Sequence, residues 1–382
     1  MKKTILRFKG YNDNWRNYSF KDILLVNSGK DYKNCKEGNI PVYGTGGYML
    51  SIDKSLCSED AIGIGRKGSI DKPQYLKAPF WTIDTLFFLT LKKEFDLAFL
   101  YYMANIIEWR KLDESTGVPS LSKENIDKIC CKIPSISEQH LISKYFSLLD
   151  SKIKTTSKEI QCLHKIKSAC LQSMFPLEGE SVPKVRFKGF NEDWKTKQLS
   201  ECLLVSHDKN TDMKYTTNDV LSVSDDYGVR NQIELLGRSY AGKSVSNYGI
   251  LHKEEIVFTK SPLKSKPFGI VKINTYKTGI VSVLYAIYKA KESISPLYIH
   301  YYFDPAWRLN KYLSPLVNKG AKNTMNISDE YALSGEIMIP SFEEQQKIAA
   351  YFKNLDQQIS LQTQRLEKLK HIKSACLDKM FV

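Results

Sequence analysis

The sequence lacks any hydrophobic run long enough to cross a membrane. Its most apolar run, 80–91, is short and contains Asp84, which favours a buried strand. The first residues, 1–7, hold no apolar stretch of signal-peptide length. We therefore expect a chain without membrane attachment.

Paired cysteines and histidine clusters are also missing. The 8 cysteines form no CxxC spacing, and none is placed with the 6 histidines as a metal site requires. The histidines have no triad spacing either. We expect no metal site and no disulfide frame, but reduced thiols in a cytoplasmic protein.

Two stretches resemble catalytic motifs without the surroundings that the chemistry needs. Gly237–Ser244 fits the P-loop pattern, but the following residues, 245–249, are poor helix formers. Asp304–Trp307 resembles an amino-methyltransferase motif, but it lacks the second proline and no glycine-rich cofactor motif precedes it. We interpret the first as a loop and the second as a helix start with proline near its first position. No convincing catalytic constellation remains.

A third stretch, 63–68, fits the GxGxxG pattern of dinucleotide-binding folds. Pro73 follows too closely for the helix that such a site requires. The stretch is better interpreted as a turn. Either it is simply solvated, or it exposes Arg66, Lys67 and Ser69 for contact with phosphates or base edges.

The chain repeats itself in two blocks. Residues 6–15 return at 185–194, an offset of 179, and residues 133–175 return at 339–381, an offset of 206. The difference between the offsets makes the second globular region 27 residues longer. A tandem duplication explains the blocks, and the sequences between them do not align by eye.

The second block predicts a long helix in each copy. Its apolar residues alternate at spacings of four and three, which is typical of a coiled-coil seam over about three heptads. Packing of each helix against its own domain would also give such a stripe, but two matched stripes favour mutual packing. Ser137 and Ser341 are the predicted N-caps. The seam residues are Ile142, Phe146, Leu149, Ile153, Ile160 and Leu163 in the first copy, and Ile348, Phe352, Leu355, Ile359, Leu366 and Leu369 in the second.

These elements predict an α+β fold with two α/β domains related by pseudo-two-fold symmetry and joined by two long antiparallel coiled-coil helices. Helices of this length span roughly 55 Å, which makes them a spacer between two globular units. The predicted segments are domain 1 at 1–137, helix 1 at 138–175, a linker at 176–184, domain 2 at 185–342 and helix 2 at 343–382. Short apolar runs at 61–64, 85–91, 256–259 and 279–288 predict strands, and stretches 97–112 and 296–313 predict helices.

The net charge is +14, and the excess is spread over both copies. A basic surface favours polyanions, although many soluble proteins share it. Arginine and lysine read guanine edges, asparagine reads adenine, and lysine also binds phosphates. The predicted DNA-contacting residues lie in polar, glycine-bearing or basic loops: Tyr43, Thr45, Gly46, Arg66, Lys67, Ser69 and Thr116 in the first copy, and Lys260, Lys264, Lys266, Lys319, Lys322 and Asn323 in the second.

Taken together, the sequence resembles the specificity subunits of type I restriction-modification enzymes over nearly all of its 382 residues. The resemblance depends on the paired starts and on the Glu-Gln pairs at the two helix openings. It also depends on three loops. The matching segments are 6–15, 185–194, 138–139, 344–345, 43–48, 115–121 and 320–326.

The resemblance implies a non-catalytic chain in which each domain reads one half of a split double-stranded DNA site. The partners it implies are two methyltransferase subunits, which bind S-adenosylmethionine, and ATP- and magnesium-dependent restriction/translocase subunits. It implies no cofactor in this chain, and it supplies no base-contacting residues. Two alternatives stay open: a coiled-coil tethering protein without a DNA role, and a P-loop or methyltransferase enzyme.

Overall fold

The computed structural model describes residues 6–92, 94–113, 115–242, 244–263, 266–319 and 325–381. The chain divides into two compact units. Unit 1 combines Met1–Glu159 with Gln362–Val382, and unit 2 is Ile160–Leu361. Each long helix therefore contributes one part to each unit. The predicted mixed α/β class with two repeated domains is confirmed.

Unit 1 is built around a sheet with strand order β2-β8-β5-β6. The central strands β5 and β8 are buried almost throughout, which explains why their sequences are continuously apolar. A hairpin of β3 and β4 adds β7, and β1 pairs with β9. The strands are β1 (Arg16–Ser19), β2 (Leu24–Ser28), β3 (Glu37–Gly44), β4 (Gly47–Ile52), β5 (Ala61–Gly65), β6 (Gln74–Leu76), β7 (Trp81–Thr82), β8 (Leu86–Leu91) and β9 (Cys130–Ile133); the helices are α1 (Phe20–Ile23), α2 (Leu97–Ala104), α3 (Lys123–Asp127) and α4 (Ile136–Ser173).

Unit 2 repeats the central sheet and the strand pair next to it, but the elements between them differ. Its central sheet has the order β11-β18-β15-β16, and β10 pairs with β21 as β1 pairs with β9. The β12–β13 hairpin occupies the same place in the chain as β3–β4. The strands are β10 (Lys195–Gln198), β11 (Leu203–Val205), β12 (Leu221–Ser224), β13 (Gly228–Asn231), β14 (Gly249–Leu251), β15 (Ile256–Phe258), β16 (Val271–Ile273), β17 (Gly279–Val281), β18 (Ala286–Ala290), β19 (Asn318–Lys319), β20 (Met325–Asn326) and β21 (Glu336–Ile339); the helices are α5 (Leu199–Cys202), α6 (Gln232–Leu236), α7 (Pro296–Phe303), α8 (Ala306–Leu313) and α9 (Phe342–Met380).

Three predicted elements are divided in the structure. The stretch 279–288 forms two strands, β17 and β18. The stretch 97–112 forms α2 followed by a 3-10 turn at Trp109–Leu112. The stretch 296–313 divides into α7 and α8 at Pro305, which has no backbone N–H to continue the first helix. The interpretation of Asp304–Trp307 as a helix start is confirmed.

One of the two predicted helix caps is wrong. Ser341 directly precedes α9, and its Oγ accepts a hydrogen bond from Glu344 N at 3.4 Å. Ser137 lies inside α4, and Ser135 takes the cap position, with its carbonyl accepting from Gln139 N at 3.0 Å. The repeat offset of 206 pairs Ser135, and not Ser137, with Ser341.

Within each unit the two long helices run antiparallel. In unit 1, Tyr145 Oη lies 3.4 Å from Cys376 Sγ, and Asp150 accepts a bond from Lys373 at 2.5 Å, so numbers rise along one helix as they fall along the other. In unit 2 the equivalent pairs are Tyr351 with Cys170, at 3.4 Å, and Asp356 with Lys167, at 2.8 Å. Every partner in unit 2 lies 206 positions from its counterpart, as the duplication predicts.

The predicted seam is buried most deeply where each helix begins. These first turns lie in the core of their own unit, whereas later seam positions are only half-buried. Both interpretations of the stripe, domain packing and helix pairing, therefore apply. The deeply buried seam residues are Ile142, Phe146 and Leu149 in unit 1 and Ile348, Phe352 and Leu355 in unit 2; the half-buried ones are Ile153, Ile160, Leu163, Ile359, Leu366 and Leu369.

The repeated sequence blocks hold the start of each helix. Arg7 donates two bonds, of 2.9 and 2.6 Å, to the buried carboxylate of Glu138 near the start of α4. Arg186 does the same for Glu344 of α9, with two bonds of 2.8 Å. Bidentate pairs of this kind fix orientation as well as distance. The most recognisable part of the repeat is thus structural.

The other end of each helix carries a Met-Phe pair into the core of a unit. Phe381, after α9, packs against Phe99 and Phe146 of unit 1, with ring centroids 5.2 and 5.9 Å away. Phe175, after α4, packs against Tyr298 and Phe352 of unit 2, at 5.7 and 6.1 Å. The core of each unit therefore includes aromatic groups from both long helices.

Candidate nucleic-acid interface

Three connections of unit 1 meet at one place, which we call loop face 1: the β3–β4 turn, the β5–β6 connection (66–73) and the segment 113–121. Gln74 Nε2 donates to Gly44 O at 2.8 Å and to Thr45 O at 3.3 Å. Gly68 N donates to Pro119 O at 2.8 Å, and Leu121 N donates to Arg66 O at 2.9 Å. Backbone carbonyls accept every one of these bonds, so no cationic side chain is needed to join the segments.

Local glycines make the tight turn possible after β5. A Cβ on Gly65 would lie 2.3 Å from Ser69 O, and Gly68 has a positive φ of 87°. The 63–68 stretch is therefore a strand end and a turn, without a helix after it, as predicted. Arg66 and Lys67 extend from this turn as exposed side chains, and the Arg66 guanidinium lies 5.7 Å from the Phe87 ring.

The third segment of loop face 1 is closed by one carboxylate. Asp113 Oδ1 accepts bonds from Ser115 N at 3.0 Å, Ser115 Oγ at 2.8 Å and Ser120 N at 2.9 Å. The bond from the Ser120 backbone, followed by those from Ser115, lowers the pKa of Asp113. The closed loop leaves Thr116 exposed at its tip.

The structure thus places all of the first-copy predictions on loop face 1. Thr45 lies at the hairpin turn, 4.0 Å from where a Cβ on Gly68 would stand. The residues are drawn from connections up to 73 positions apart, so their proximity is a property of the fold. The set is Tyr43, Thr45, Gly46, Arg66, Lys67, Ser69 and Thr116.

The equivalent connections of unit 2 also meet, at what we call loop face 2: the β12–β13 turn (225–227), the described residues of the β15–β16 connection (259–263 and 266–270) and the segment from β20 to Asp329. Lys266 Nζ donates to Asp225 Oδ1 at 2.7 Å, which joins the first two. Lys260 Nζ donates to Asp329 Oδ1 at 2.5 Å, which joins the second and third. Ion pairs therefore join the three connections of loop face 2.

Loop face 2 is continuous with a buried charge network. Lys272, whose side chain is 8% exposed, lies 3.1 Å from both Asp225 and Asp304. Asp304 also lies 3.2 Å from Lys167 of α4, which in turn lies 2.8 Å from Asp356 of α9. The network therefore connects the hairpin turn to both long helices within unit 2.

Two carboxylates of this network, Asp304 and Asp225, stay ionised despite their burial. Burial alone would raise the pKa of Asp304, but Lys272, His300 and Lys167 outweigh it and hold that pKa well below its usual range. The pKa of Asp225 is lowered in the same way, against its burial, by Lys266 and Lys272. Asp304 and Asp225 are therefore carboxylates at neutral pH, each next to lysine ammonium groups.

The second-copy predictions divide into two groups. Lys260 and Lys266 have internal carboxylate partners, so their ammonium groups reach phosphates only by leaving or sharing those partners. Lys319 belongs to β19, where its backbone pairs with Met325. Lys264, Lys322 and Asn323 lie outside the described residues. Contact of any of these with DNA stays a prediction.

Comparison with known proteins decides the family. The type I restriction modification DNA specificity domain matches residues 12–165 and again 191–371. The chain belongs to this family. The two matched ranges follow the two copies of the duplication.

Two specificity subunits of Methanocaldococcus jannaschii resemble the chain in sequence. The putative MjaX subunit is 23% identical over 275 residues, which cover 68% of this chain and 60% of that protein. The MjaVIII subunit is 28% identical over 122 residues, 31% of this chain and 29% of that protein. The S subunit of a type I restriction-modification system from M. genitalium shares the fold, with a TM-score of 0.70 and 14% identity over 100% of this chain and 99% of that one.

A pattern of basic loops does not identify the carboxylates that bind the lysines of loop face 2 and of the buried charge network. Asp225 and Asp304 carry the charge that opposes a DNA phosphate, so a search for basic loops passes over them. The available signal was the density of lysines in 260–272, since lysines that fold close together and are partly buried need carboxylate partners.

The P-loop-like stretch lies between a helix and a strand. The P-loop-like stretch follows α6 and precedes β14, and Gly237 closes α6 in the left-handed conformation. A P-loop needs the reverse order, a strand before and a helix after. Within the described ranges, no three His, Cys, Asp or Glu residues are grouped to hold a metal ion. No helix in those ranges is long and apolar enough to cross a membrane.

Proposed function

We propose that this chain is the DNA specificity subunit of a type I restriction-modification complex and that each unit reads one half of a bipartite double-stranded DNA target. One observation carries the proposal: in both units of this specificity-domain chain, the same three connections meet to form a polar, cation-bearing loop face. Two similar faces built from different residues suit two different half-sites.

The chemistry of loop face 1 suits DNA. Arg66 and Lys67 are exposed cations on the same loop face as Thr45 and Thr116, which carry hydroxyls. Cations bind phosphates and guanine edges, while hydroxyls contact many base and phosphate groups. Affinity for DNA is therefore expected to fall steeply with salt, since each phosphate contact releases counterions.

The long helices are proposed to set the unread spacer and to dock two methyltransferase subunits. Their antiparallel pairing inside each unit supports this, because it gives both halves of the chain the same helical surface. Removing or adding a whole heptad in both helices is expected to change the spacer length and to leave both half-sites unchanged. Altered half-site bases would contradict the spacer role.

Cofactors are proposed to lie on partner subunits. S-adenosylmethionine would bind the methyltransferase subunits, and ATP with magnesium would bind restriction/translocase subunits. This chain would contribute recognition only, in the cytoplasm where those partners meet DNA. An enzyme of the P-loop or methyltransferase kind would instead bind ATP or S-adenosylmethionine as the isolated chain, which isothermal titration measures directly.

Co-expression with a methyltransferase subunit tests the function. N6-methyladenine would be mapped across a methylation-free genome, with cells that lack this chain as the control. A single motif of two short defined parts around a fixed gap is the expected result. A stable complex that produces no such motif, together with DNA affinity that does not depend on salt, would favour a tethering protein instead.

A further inference from the structure

Each unit carries one conspicuous tyrosine beside the turn of its hairpin. Tyr48 is the second residue of β4, and Tyr227 ends the turn between β12 and β13. Both side chains are 62% exposed. The two hairpins share little sequence, yet each places a tyrosine next to a glycine, Gly47 or Gly228, with positive φ.

Contacts within each unit hold these tyrosines at the turns. The Tyr48 ring meets Tyr43 across the hairpin edge-on, with centroids 6.4 Å apart, and its Oη lies 3.2 Å from Ser51 Oγ. Tyr227 N donates to Ser224 Oγ at 3.3 Å. The position from which each ring extends is therefore fixed, while most of the ring surface stays exposed to solvent.

Both turns belong to the loop faces and are bordered by cations. In unit 1, Gln74 ties the β3–β4 turn to the connection that carries Arg66 and Lys67. In unit 2, Asp225 of the same turn as Tyr227 bonds Lys266. Lone exposed aromatics are common and need no explanation, but an exposed tyrosine adjacent to the first glycine of the second strand in both hairpins does.

Each loop face also carries an exposed apolar side chain. On loop face 1, Val118 is 68% exposed. On the β15–β16 connection of loop face 2, Leu263 is 42% exposed. On a face that carries both kinds of group, cations suit phosphates and exposed apolar side chains suit base edges, where thymine offers a methyl group.

Building on the proposed function, we propose that Tyr48 and Tyr227 are specificity-determining residues, each of whose rings contacts a base edge in the half-site of its own unit. The ring supplies the contact, so the hydroxyl is dispensable. Discrimination at one base-pair position of each half-site should depend on these rings.

Four variants test this in the co-expressed methyltransferase complex: Tyr48→Ala, Tyr48→Phe, Tyr227→Ala and Tyr227→Phe. Mapping N6-methyladenine is expected to show one position of one half-site losing its preference in each alanine variant, by on the order of 10-fold. The two alanine variants should affect different half-sites. Both phenylalanine variants should keep the original motif, because they keep the ring.

Tyr240→Ala is the matched control, since Tyr240 is 60% exposed but lies between α6 and β14, outside the three connections. Its motif should be unchanged. Should an alanine variant fail to assemble, Tyr48→Leu and Tyr227→Leu remove the ring while keeping apolar bulk, and the same relaxation is expected.

The inference is overturned by an unchanged motif in both alanine variants, by uniform loss of methylation without relaxation, or by phenylalanine variants as relaxed as alanine. Relaxation of the same half-site by both alanine variants, or an equal change in Tyr240→Ala, would overturn it too. These outcomes leave the proposed function standing if the unaltered chain gives a bipartite motif. If the unaltered chain gives none, the function itself fails.

Discussion

The two loop faces are built from the same connections, but different kinds of bond join those connections. In unit 1, backbone carbonyls accept the bonds that join the segments, as in Gly68 N to Pro119 O, and Arg66 and Lys67 remain exposed. In unit 2, lysine ammoniums make the joins, as in Lys266 to Asp225. Similar positive charge in the two copies therefore has different uses. The charge that a loop carries does not indicate by itself how much of it is available to DNA.

The contrast extends to the α2 and α7 helices, which begin with equivalent caps at Asp96 and Ser295. Counting from these caps places Asn105 where unit 2 has Asp304, and Tyr101 where it has His300. Unit 1 is thus neutral at two positions where unit 2 has a carboxylate and an imidazole. This difference makes the stability of the two units respond differently to substitutions and pH.

The largest expected effect tests what the units share. Phe381→Ala and Phe175→Ala each remove a buried ring from the core of one unit, and each should lower the free energy of unfolding by about 3–5 kcal/mol. Phe175→Ala should be the costlier, because the guanidinium of buried Arg308 lies 4.5 Å from that ring. Hydrogen exchange, followed peptide by peptide, would assign each loss to its unit.

Loss of protection spread equally over both units in either variant would contradict the separate cores. Leu361→Ala is a suitable control, since Leu361 is 65% exposed on α9 and should change little.

A second difference is expected on acidification. Burial, followed by Lys272, lowers the pKa of His300 from its ordinary value to about 4. Between about pH 6.5 and 4 the unfolded chain then binds a proton that the folded unit does not, so stability falls as pH falls through that range. The loss in unit 2 should reach up to about 3 kcal/mol.

His300→Tyr, which installs the residue of unit 1, should flatten this pH dependence. Denaturant titrations at pH 7 and 5, combined with hydrogen exchange, would measure it. Equal acid sensitivity of unit 1, or an unchanged profile in the variant, would contradict the assignment to His300.

The next prediction compares DNA binding by the two loop faces. Arg66→Ala with Lys67→Ala is expected to weaken or relax the first half-site by about 1–3 kcal/mol and to reduce the salt slope by about one for each lost phosphate contact. Lys266→Ala should reduce that slope less, because its ammonium already has Asp225 as a partner. Binding titrations over a range of salt would compare them. Equal slopes for both changes would show that the internal ion pair does not withhold Lys266.

The sequence predicted the elements that the two units share better than the bonds that join their loops. Two offsets predicted which elements recur, and in the structure the same offset relates individual pairs such as Tyr145 with Cys376 and Tyr351 with Cys170. The ion pairs of Lys260 and Lys266 join residues 69 and 41 positions apart. No local spacing predicts such pairs, because they depend on how the connections meet in three dimensions. The wrong cap at Ser137 was avoidable, since the offset alone identifies Ser135.

The smallest expected effect compares two lysines that the duplication makes equivalent. Lys373 pairs with Asp150, both partly exposed, so Lys373→Met should cost at most about 1 kcal/mol. Lys167 bridges Asp356 and Asp304, and its removal leaves Asp304 with less compensation, so Lys167→Met should cost about 2 kcal/mol. Denaturant unfolding at pH 7 measures both. A larger cost for Lys373→Met would show that the exposed pair, and not the charge network, fastens the long helices to their unit.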